Sequence, residues 1–247
     1  MRSCGGLRLI GATLGLYAIT ALAAGSSVAE SKPKPPPPYI MKGMDATYVN
    51  VTWDSEMIDA LLPEGLTPLE GYTGGINLYS VPKGYGLAPY SAAYFYVNVD
   101  FFVSSSGIPG RYILGGVFGP AAAAEAMNEH YGWRMREGLA VQLVKDGVVT
   151  SIAQREAEPL FTIKMTNVTL DCPDFNGVVH YVSPATDEAF TVLEVPFSAQ
   201  ICEADIAGGV DISAPEDDPL SRFKIDEVIN GVQLRDASFA YTKPEIR

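Results

Sequence analysis

The stretch Asn128–Glu137, which reads Asn-Glu-His-Tyr-Gly-Trp-Arg-Met-Arg-Glu, marks the point where a helix runs into a strand. The segment before it, Pro120–Asn128, is dense in alanine and begins with proline, a composition typical of a helix. Gly132 predicts the end of that helix, because glycine is common just beyond a helix C-terminus. Apolar residues then alternate with others from Leu139 to Val144, which indicates a strand.

Outward from this junction the chain is mainly β. Runs rich in Val, Ile, Tyr and Phe alternate with turns that contain Gly, Pro, Asn and Asp, a pattern typical of strands joined by hairpins. Lys145-Asp146-Gly147 is one such turn, and Asp54 or Ser55 can cap a short helix that reaches Leu62. The predicted strands cover Ala46–Trp53, Gly75–Val81, Tyr90–Val103, Gly110–Phe118, Val148–Ala153, Pro159–Leu170, Gly177–Val182, Ala189–Gln200 and Gly231–Tyr241. The sequence therefore predicts a mainly β (α+β) fold with a few short helices.

The two ends of the chain differ in character. Arg2 and Arg8 precede an apolar run and a series of small residues, the layout of a secretory signal peptide over residues 1–29. Residues 30–43 are rich in proline and are expected to form an extended linker. Residues 44–247 form the predicted domain, and no second run reaches the roughly 18 apolar residues of a membrane span. We therefore expect a secreted or periplasmic protein without a membrane anchor after cleavage.

Composition and charge exclude some classes of partner. The chain has 247 residues, of which 47% are hydrophobic, so it can bury a sizeable core. Its formal net charge of -12 repels phosphate backbones, which argues against nucleic-acid partners. Cys172 and Cys202 remain after signal cleavage, and in an oxidising compartment they predict one disulfide. Two free, buried thiols are the alternative.

Three segments, in order along the chain, resemble segments of the acetoacetate decarboxylases. Leu61–Leu66 is similar to a family turn in which a helix runs into Leu/Val-Pro-Glu-x-Leu. Asn128–Glu137 is similar to the segment that carries the reactive lysine, and Leu220–Ile229, followed by a strand that contains Asp236, is similar to the closing segment. The resemblance covers about residues 45–245. It implies an antiparallel β-barrel that encloses an apolar pocket, in proteins that are commonly oligomers.

The resemblance also implies a change of chemistry. In that family a Pro-Lys-Lys sequence supplies a lysine that forms a Schiff base with a keto acid. Here the first lysine falls on Met135 and the second on Arg136, while family glutamates fall on Ala92 and Asn77 and a family arginine falls on Met44. A thioether cannot form an imine, so we expect a divergent, exported member that lacks the Schiff-base lysine.

The candidate ligand-binding residues are those that the resemblance places around the pocket, namely Asn77, Tyr90, Ala92, Tyr131, Trp133, Met135 and Arg136. The fork of Arg136 could hold a ligand carboxylate by two parallel hydrogen bonds. Alternatively, Arg134 or Arg136 forms a structural ion pair with Glu129 or Glu137. A relocated lysine remains a further alternative. Lys164 is the one in the middle of a strand, and its alternation with apolar neighbours predicts that it faces solvent.

Glu129 and His130 are the candidate catalytic residues, since each could act as a general acid or base. Both could equally be structural residues of the helix end. No metal or cofactor is expected: the two histidines, His130 and His180, have no paired spacing, and the sequence contains no nucleophile elbow, dinucleotide fingerprint or phosphate-binding loop.

Three functions follow as hypotheses. The first is an exported barrel that binds a small hydrophobic or carboxylate-bearing molecule in its interior, without Schiff-base decarboxylase activity. The second is a lyase, isomerase or hydrolase that uses Glu129 or His130. The third is a functional acetoacetate decarboxylase with a relocated lysine. A small-molecule ligand is expected in each case, and a homo-oligomer is compatible with the resemblance.

Overall fold

The computed structural model describes residues 35–87, 89–186 and 189–247, so the expected signal peptide lies outside the described residues. The helices are α1 (Ser55–Leu61) and α2 (Ala121–Tyr131), and Pro219–Arg222 forms a 3-10 helix. The strands are β1 (Tyr39–Trp53), β2 (Thr73–Val81), β3 (Lys83–Tyr85), β4 (Tyr90–Val99), β5 (Gly110–Gly119), β6 (Met135–Glu137), β7 (Leu139–Lys145), β8 (Val148–Arg155), β9 (Glu158–Thr166), β10 (Asp174–Thr186), β11 (Ala189–Ile212), β12 (Ile225–Tyr241) and β13 (Glu245–Ile246).

Seven of these strands pair in a closed ring. The order is β10, β5, β4, β2, β1, β12 and β11, and β11 pairs with β10 to complete the circuit. A second layer, β7, β8 and β9, joins the ring through the C-terminal part of β11. Most pairings are antiparallel, whereas β5 pairs in parallel with both β10 and β6. The predicted fold class, mainly β with a few short helices, is confirmed.

Two apolar cores result from the alternation of side chains along the ring strands. In β4, Tyr94 and Tyr96 point into the ring, while Phe95 and Val97 pack on its outer face. The outer core is closed by α1, by the second layer and by the 3-10 helix, whose Leu220 is buried. Because β4 is buried on both faces, its sequence is a continuous apolar run and not an alternating one.

Local signals in the sequence place several elements correctly. The Asp54 carboxylate accepts a hydrogen bond of 2.8 Å from the backbone N–H of Met57 and caps α1. Gly132 ends α2 with a left-handed φ of 66°. Asp146 and Gly147, with φ of 52° and 78°, form the two-residue turn between β7 and β8.

Two strands, β1 and β11, are longer than the sequence predicts. β1 begins at Tyr39 and not at Ala46, so it includes residues assigned to the proline-rich linker 30–43. The Tyr39 side chain is buried, and its hydroxyl donates to the carbonyl oxygen of Pro35 at 2.8 Å. β11 extends to Ile212, because its second half leaves the ring and pairs with β9. Tertiary pairing, which local pattern does not report, sets these bounds.

The predicted disulfide between Cys172 and Cys202 is present. It ties the loop before β10 to the middle of β11, with a sequence separation of 30 residues. Replacing both cysteines by serine is expected to lower the free energy of unfolding by roughly 3 kcal/mol, because the bridge restricts the unfolded chain. Urea unfolding of the oxidised protein and of the double variant measures this difference. Equal midpoints and slopes would contradict it.

No helix in the described part of the chain is long and apolar enough to cross a membrane.

Candidate functional site

A cavity of about 240 Å³ lies inside the ring, and every ring strand contributes to its wall. The wall consists of Met44, Tyr48, Asn50, Tyr79, Tyr94, Ile108, Arg111, Phe175, Val179, Tyr181, Val195, Phe197, Ile201, Val232, Leu234, Ala237, Phe239 and Tyr241. Phe175 is exposed and Phe197 is half-buried, and their ring centroids are 5.6 Å apart, so the cavity reaches the surface beside them. Predominantly apolar walls with a few polar groups are typical of small-molecule sites.

Five tyrosines supply the hydroxyl groups of the cavity wall. The hydroxyls of Tyr79 and Tyr241 share a hydrogen bond of 2.7 Å. The hydroxyls of Tyr94 and Tyr181 share one of 2.9 Å, and the Asn77 side-chain amide donates to Tyr94 at 3.0 Å. These bonds hold four of the five rings in fixed orientations. The cavity is therefore preorganised.

Four of the five tyrosines of the wall, Tyr48, Tyr79, Tyr94 and Tyr241, stay neutral over the physiological range. Burial, assisted by the neighbouring tyrosines, raises the pKa of Tyr79 and of Tyr241 well above the usual 10.0. Burial likewise raises the pKa of Tyr48 and of Tyr94. Neutral hydroxyls can donate and accept hydrogen bonds but carry no charge.

Arg111 supplies the charged group of the wall. Its guanidinium carbon lies 4.3 Å from the centroid of the Tyr96 ring, a cation–π contact. The Nε atom of Arg111 is buried and has no hydrogen-bond partner. No aspartate or glutamate lines the cavity within the described residues. Because arginine does not lose its proton in proteins, the cavity carries a permanent positive charge.

The backbone around Tyr96 is built to admit this ring. Gly75 on β2 faces Tyr96 on β4, and a Cβ at position 75 would lie 2.5 Å from the Tyr96 hydroxyl oxygen. Only glycine therefore leaves room for the ring that carries the Arg111 contact.

All six lysines in the described ranges are exposed, and none of them lines the cavity. Lys164 lies on β9 in the second layer with its side chain in solvent, as its position in the strand pattern predicts.

Most of the candidate ligand-binding residues belong to the packed inner core beside the cavity. Tyr90, Ala92, Tyr131, Trp133 and Met135 are all buried there. Asn77 is fully buried and reaches the wall only through its bond to Tyr94. The candidate residues that contact the wall thus lie behind it. None of the seven candidate ligand-binding residues lines the cavity.

Trp133 shows how this support works. Its ring centroid lies 6.0 Å from that of Tyr94, 5.2 Å from that of Tyr181 and 5.6 Å from that of Tyr241. It therefore contacts three of the five tyrosines of the cavity wall from behind. Aromatic rings form part of the cavity wall, but Trp133 packs behind these rings and does not line the cavity.

Met135 is held in place by Asn128, the first residue of the stretch that joins α2 to β6. The Asn128 side chain accepts from the Met135 N–H at 2.7 Å and donates to the Met135 carbonyl oxygen at 2.8 Å. β6 then pairs in parallel with β5, with Met135 opposite Gly116. This clamp fixes the junction that the sequence marks as central.

Arg136 forms a structural ion pair, which was the alternative to binding a ligand carboxylate. Its partner is Asp218 and not one of the predicted glutamates. Its two terminal nitrogens donate to the two carboxylate oxygens of Asp218 at 2.6 Å and 2.7 Å. Asp218 also accepts from the Leu220 N–H at 2.9 Å and thereby caps the 3-10 helix. Glu129 and Glu137, the predicted partners, are exposed. The arginine fork is occupied, so Arg136 is not the carboxylate anchor of the inner cavity.

Glu129 and His130 lie in the last turn of α2. Glu129 is exposed, and the His130 ring lies 6.2 Å from that of Tyr39. Neither residue contributes to the cavity wall. The structure therefore does not bring the two candidate catalytic residues together with the interior of the ring.

The sequence did contain a signal for the residue that was missed. Arg111 is a lone charge at the start of the apolar strand Gly110–Gly119, where it shares the inward face with Ile113. A charged residue on the inner face of a closed sheet is uncommon and points to a function. No group of His, Cys, Asp and Glu in the described segments is arranged to hold a metal ion.

No family model matches the chain, and no curated protein is similar to it in sequence. Its fold is similar to that of solved structures. The acetoacetate decarboxylase from Legionella pneumophila aligns with a TM-score of 0.72 at 12% identity, over 96% of this chain and 98% of that one. The enduracididine biosynthesis enzyme MppR, in complex with pyruvate, aligns with a TM-score of 0.60 at 13% identity, over 95% and 98%.

An acetoacetate decarboxylase-like enzyme from Sphingomonas wittichii aligns with a TM-score of 0.58 at 15% identity, over 85% of this chain and 92% of that one. At these identities the likeness establishes the fold. The chain has the acetoacetate decarboxylase-like fold, which agrees with the resemblance drawn from its sequence.

Proposed function

We propose that this chain, which has the acetoacetate decarboxylase-like fold, is an exported binding protein for a small apolar or carboxylate-bearing molecule, and that it has no Schiff-base decarboxylase activity. The observation that supports the proposal best is the composition of the inner cavity: apolar side chains, five tyrosines, one asparagine and one arginine, with no lysine among the described lining residues. One neighbour with this fold, MppR, forms a complex with pyruvate, a small carboxylate. The Cys172–Cys202 disulfide is in keeping with an oxidising compartment outside the cell.

A Schiff base needs a lysine nitrogen that is free of its proton and close to the bound carbonyl carbon. Desolvation lowers the pKa of a lysine and so prepares the amine. The six described lysines are exposed to water, so none of them has the desolvated surroundings that prepare such an amine. Met135, on which the sequence resemblance places the family lysine, is buried and offers a thioether.

Treatment with acetoacetate and borohydride is expected to leave the mass of the protein unchanged. A lysine imine would be reduced to a stable amine and would add the mass of the trapped fragment. An acetoacetate decarboxylase that contains the Pro-Lys-Lys segment serves as the positive control. Peptide mapping that finds a modified lysine in this chain would overturn the proposal.

Binding itself is tested with a panel of small probes that includes benzoate, benzamide and benzene. Chemical shifts of the inner-core residues are expected to change on titration with at least one of them. Ala237 lies in the cavity wall, so Ala237→Leu fills part of the space and should weaken binding about tenfold or more, since even one methylene of misfit costs about 1–3 kcal/mol. Ala214→Leu, at a position packed on the outer core, is the matched control. If no probe binds the wild-type protein, or if both variants bind alike, the cavity is not a binding site.

The alternative of an enzyme that uses Glu129 or His130 makes a separate prediction. Glu129→Gln and His130→Ala should then abolish turnover of any converted ligand. Both side chains lie at the end of α2, away from the lining residues. We therefore expect the two substitutions to have no effect on binding in the cavity.

A further inference from the structure

Arg111 is a half-buried cation that projects into the cavity. Its Nε atom is buried without a hydrogen-bond partner, and it takes part in no ion pair within the described residues. Transferring a charge out of water is costly unless the charge is paired, and an unpaired one in a native structure calls for an explanation. The contact with the Tyr96 ring, at 4.3 Å, offsets part of this cost.

The surroundings of Arg111 offer hydrogen-bond donors but no competing anion. Tyr181 on β10 is its direct neighbour in the parallel pairing with β5. Tyr48 on β1 also lines the cavity, and it lies near enough to Arg111 for the positive charge to oppose the rise in its pKa that burial causes. A cation beside hydroxyl donors is the arrangement that a carboxylate requires for charge-assisted hydrogen bonds.

Resting on the proposed function, we propose that Arg111 is the anion anchor of the cavity and that the natural ligand is a small monocarboxylate. Its carboxylate pairs with the Arg111 guanidinium and accepts a hydrogen bond from the Tyr48 hydroxyl, while its apolar body points toward Phe175 and Phe197 at the open end. Bound in this way, the ligand neutralises the buried charge and replaces the water around it.

The same arrangement selects against two other classes of ligand. A neutral molecule of the same shape leaves Arg111 unpaired. A dicarboxylate brings a second charge into a wall that is otherwise apolar or uncharged and that contains a single cation among its lining residues. The cavity volume of about 240 Å³, below the roughly 300–1,000 Å³ of sites for drug-sized ligands, also favours a small molecule.

Benzoate and benzamide, which differ little in shape but differ in charge, test the assignment by isothermal titration calorimetry at pH 7. The wild-type protein is expected to bind benzoate roughly 10- to 100-fold more tightly than benzamide, the range expected for charged hydrogen bonds. Arg111→Gln should abolish that preference and leave benzamide affinity within about threefold. Tyr48→Phe should reduce the affinity for benzoate only. Terephthalate, which adds a second carboxylate to benzoate, should bind more weakly than benzoate.

Arg222→Gln is the matched control, because Arg222 is exposed and lies outside the cavity. If Arg111→Gln fails to fold, Arg111→Lys retains the charge without the planar fork and should keep part of the preference for benzoate. Equal binding of benzoate and benzamide by the wild-type protein would overturn the anchor while leaving a binding cavity in place. An unchanged preference in Arg111→Gln would do the same. Absence of binding by every probe would instead overturn the proposed function.

Discussion

Trp133→Ala is expected to lower the free energy of unfolding by about 3–5 kcal/mol, the usual cost of truncating a buried tryptophan. The side chain is almost fully buried, and its ring contacts those of Tyr94, Tyr181 and Tyr241. Removing the indole ring leaves a void behind the cavity wall, so the three tyrosines lose a packing contact. Guanidinium unfolding gives the change in stability, and the loss of chemical-shift dispersion in the tyrosine rings shows whether the wall becomes disordered.

Trp133→Phe separates packing from hydrogen bonding. The Trp133 indole nitrogen is buried without a partner, so phenylalanine removes no hydrogen bond and should cost less than half as much as alanine. If alanine and phenylalanine destabilise the protein equally, ring packing is not the main contribution of Trp133. A cost below about 1 kcal/mol for alanine would mean that the inner core does not depend on this residue.

Asp218→Ala is expected to lower the free energy of unfolding by roughly 3–4 kcal/mol. The carboxylate is buried and is bound by two nitrogens of Arg136. Breaking such a pair leaves a cation without its partner, and here it also removes the cap of the 3-10 helix. Asp217→Ala is the matched control, because Asp217 is the neighbour of Asp218 in the chain and its side chain is exposed. Thermal unfolding of both variants should show a shift for position 218 only.

The contribution of Asp218 should also depend on pH. Burial raises the pKa of this carboxyl, but the hydrogen bonds from Arg136 and from the Leu220 N–H lower it by more, so the net pKa lies below the ordinary 3.8. A lowered pKa in the folded state stabilises the protein above pH 3.8, and this contribution is lost as the pH falls through the folded pKa. The stability difference between wild type and Asp218→Asn should therefore be constant near neutral pH and shrink in acid. A difference that grows in acid would contradict the assignment.

Local signals in the sequence located the elements well, whereas long-range pairing decided their lengths. The cap at Asp54, the stop at Gly132 and the turn at Asp146–Gly147 each act within a few residues, and all three occur where the sequence predicts them. The start of β1 at Tyr39 depends on its partners in β3 and β12, which lie far away in the chain. No local pattern contains that information.

The resemblance directs attention to residues beside the cavity, and none of these residues lines it. Trp133 and Asn77 belong to the inner core, as that resemblance implies, but they support the wall from behind. Arg136 lies one residue beyond the inward-facing Met135, and successive side chains of a strand point to opposite faces, so it meets Asp218 on the outer side. Arg111 was missed because an isolated charge in a strand gives no motif.

The double burial of β4 separates two kinds of change in this protein. Its even-numbered positions from Tyr90 to Tyr96 belong to the inner core around the cavity, and its odd-numbered positions from Ala93 to Val99 belong to the outer core that holds the second layer. Substitutions at the even-numbered positions therefore act on the interior of the ring and leave the contact between the two layers in place. One strand thus carries two independent sets of constraints, and each can diverge without the other.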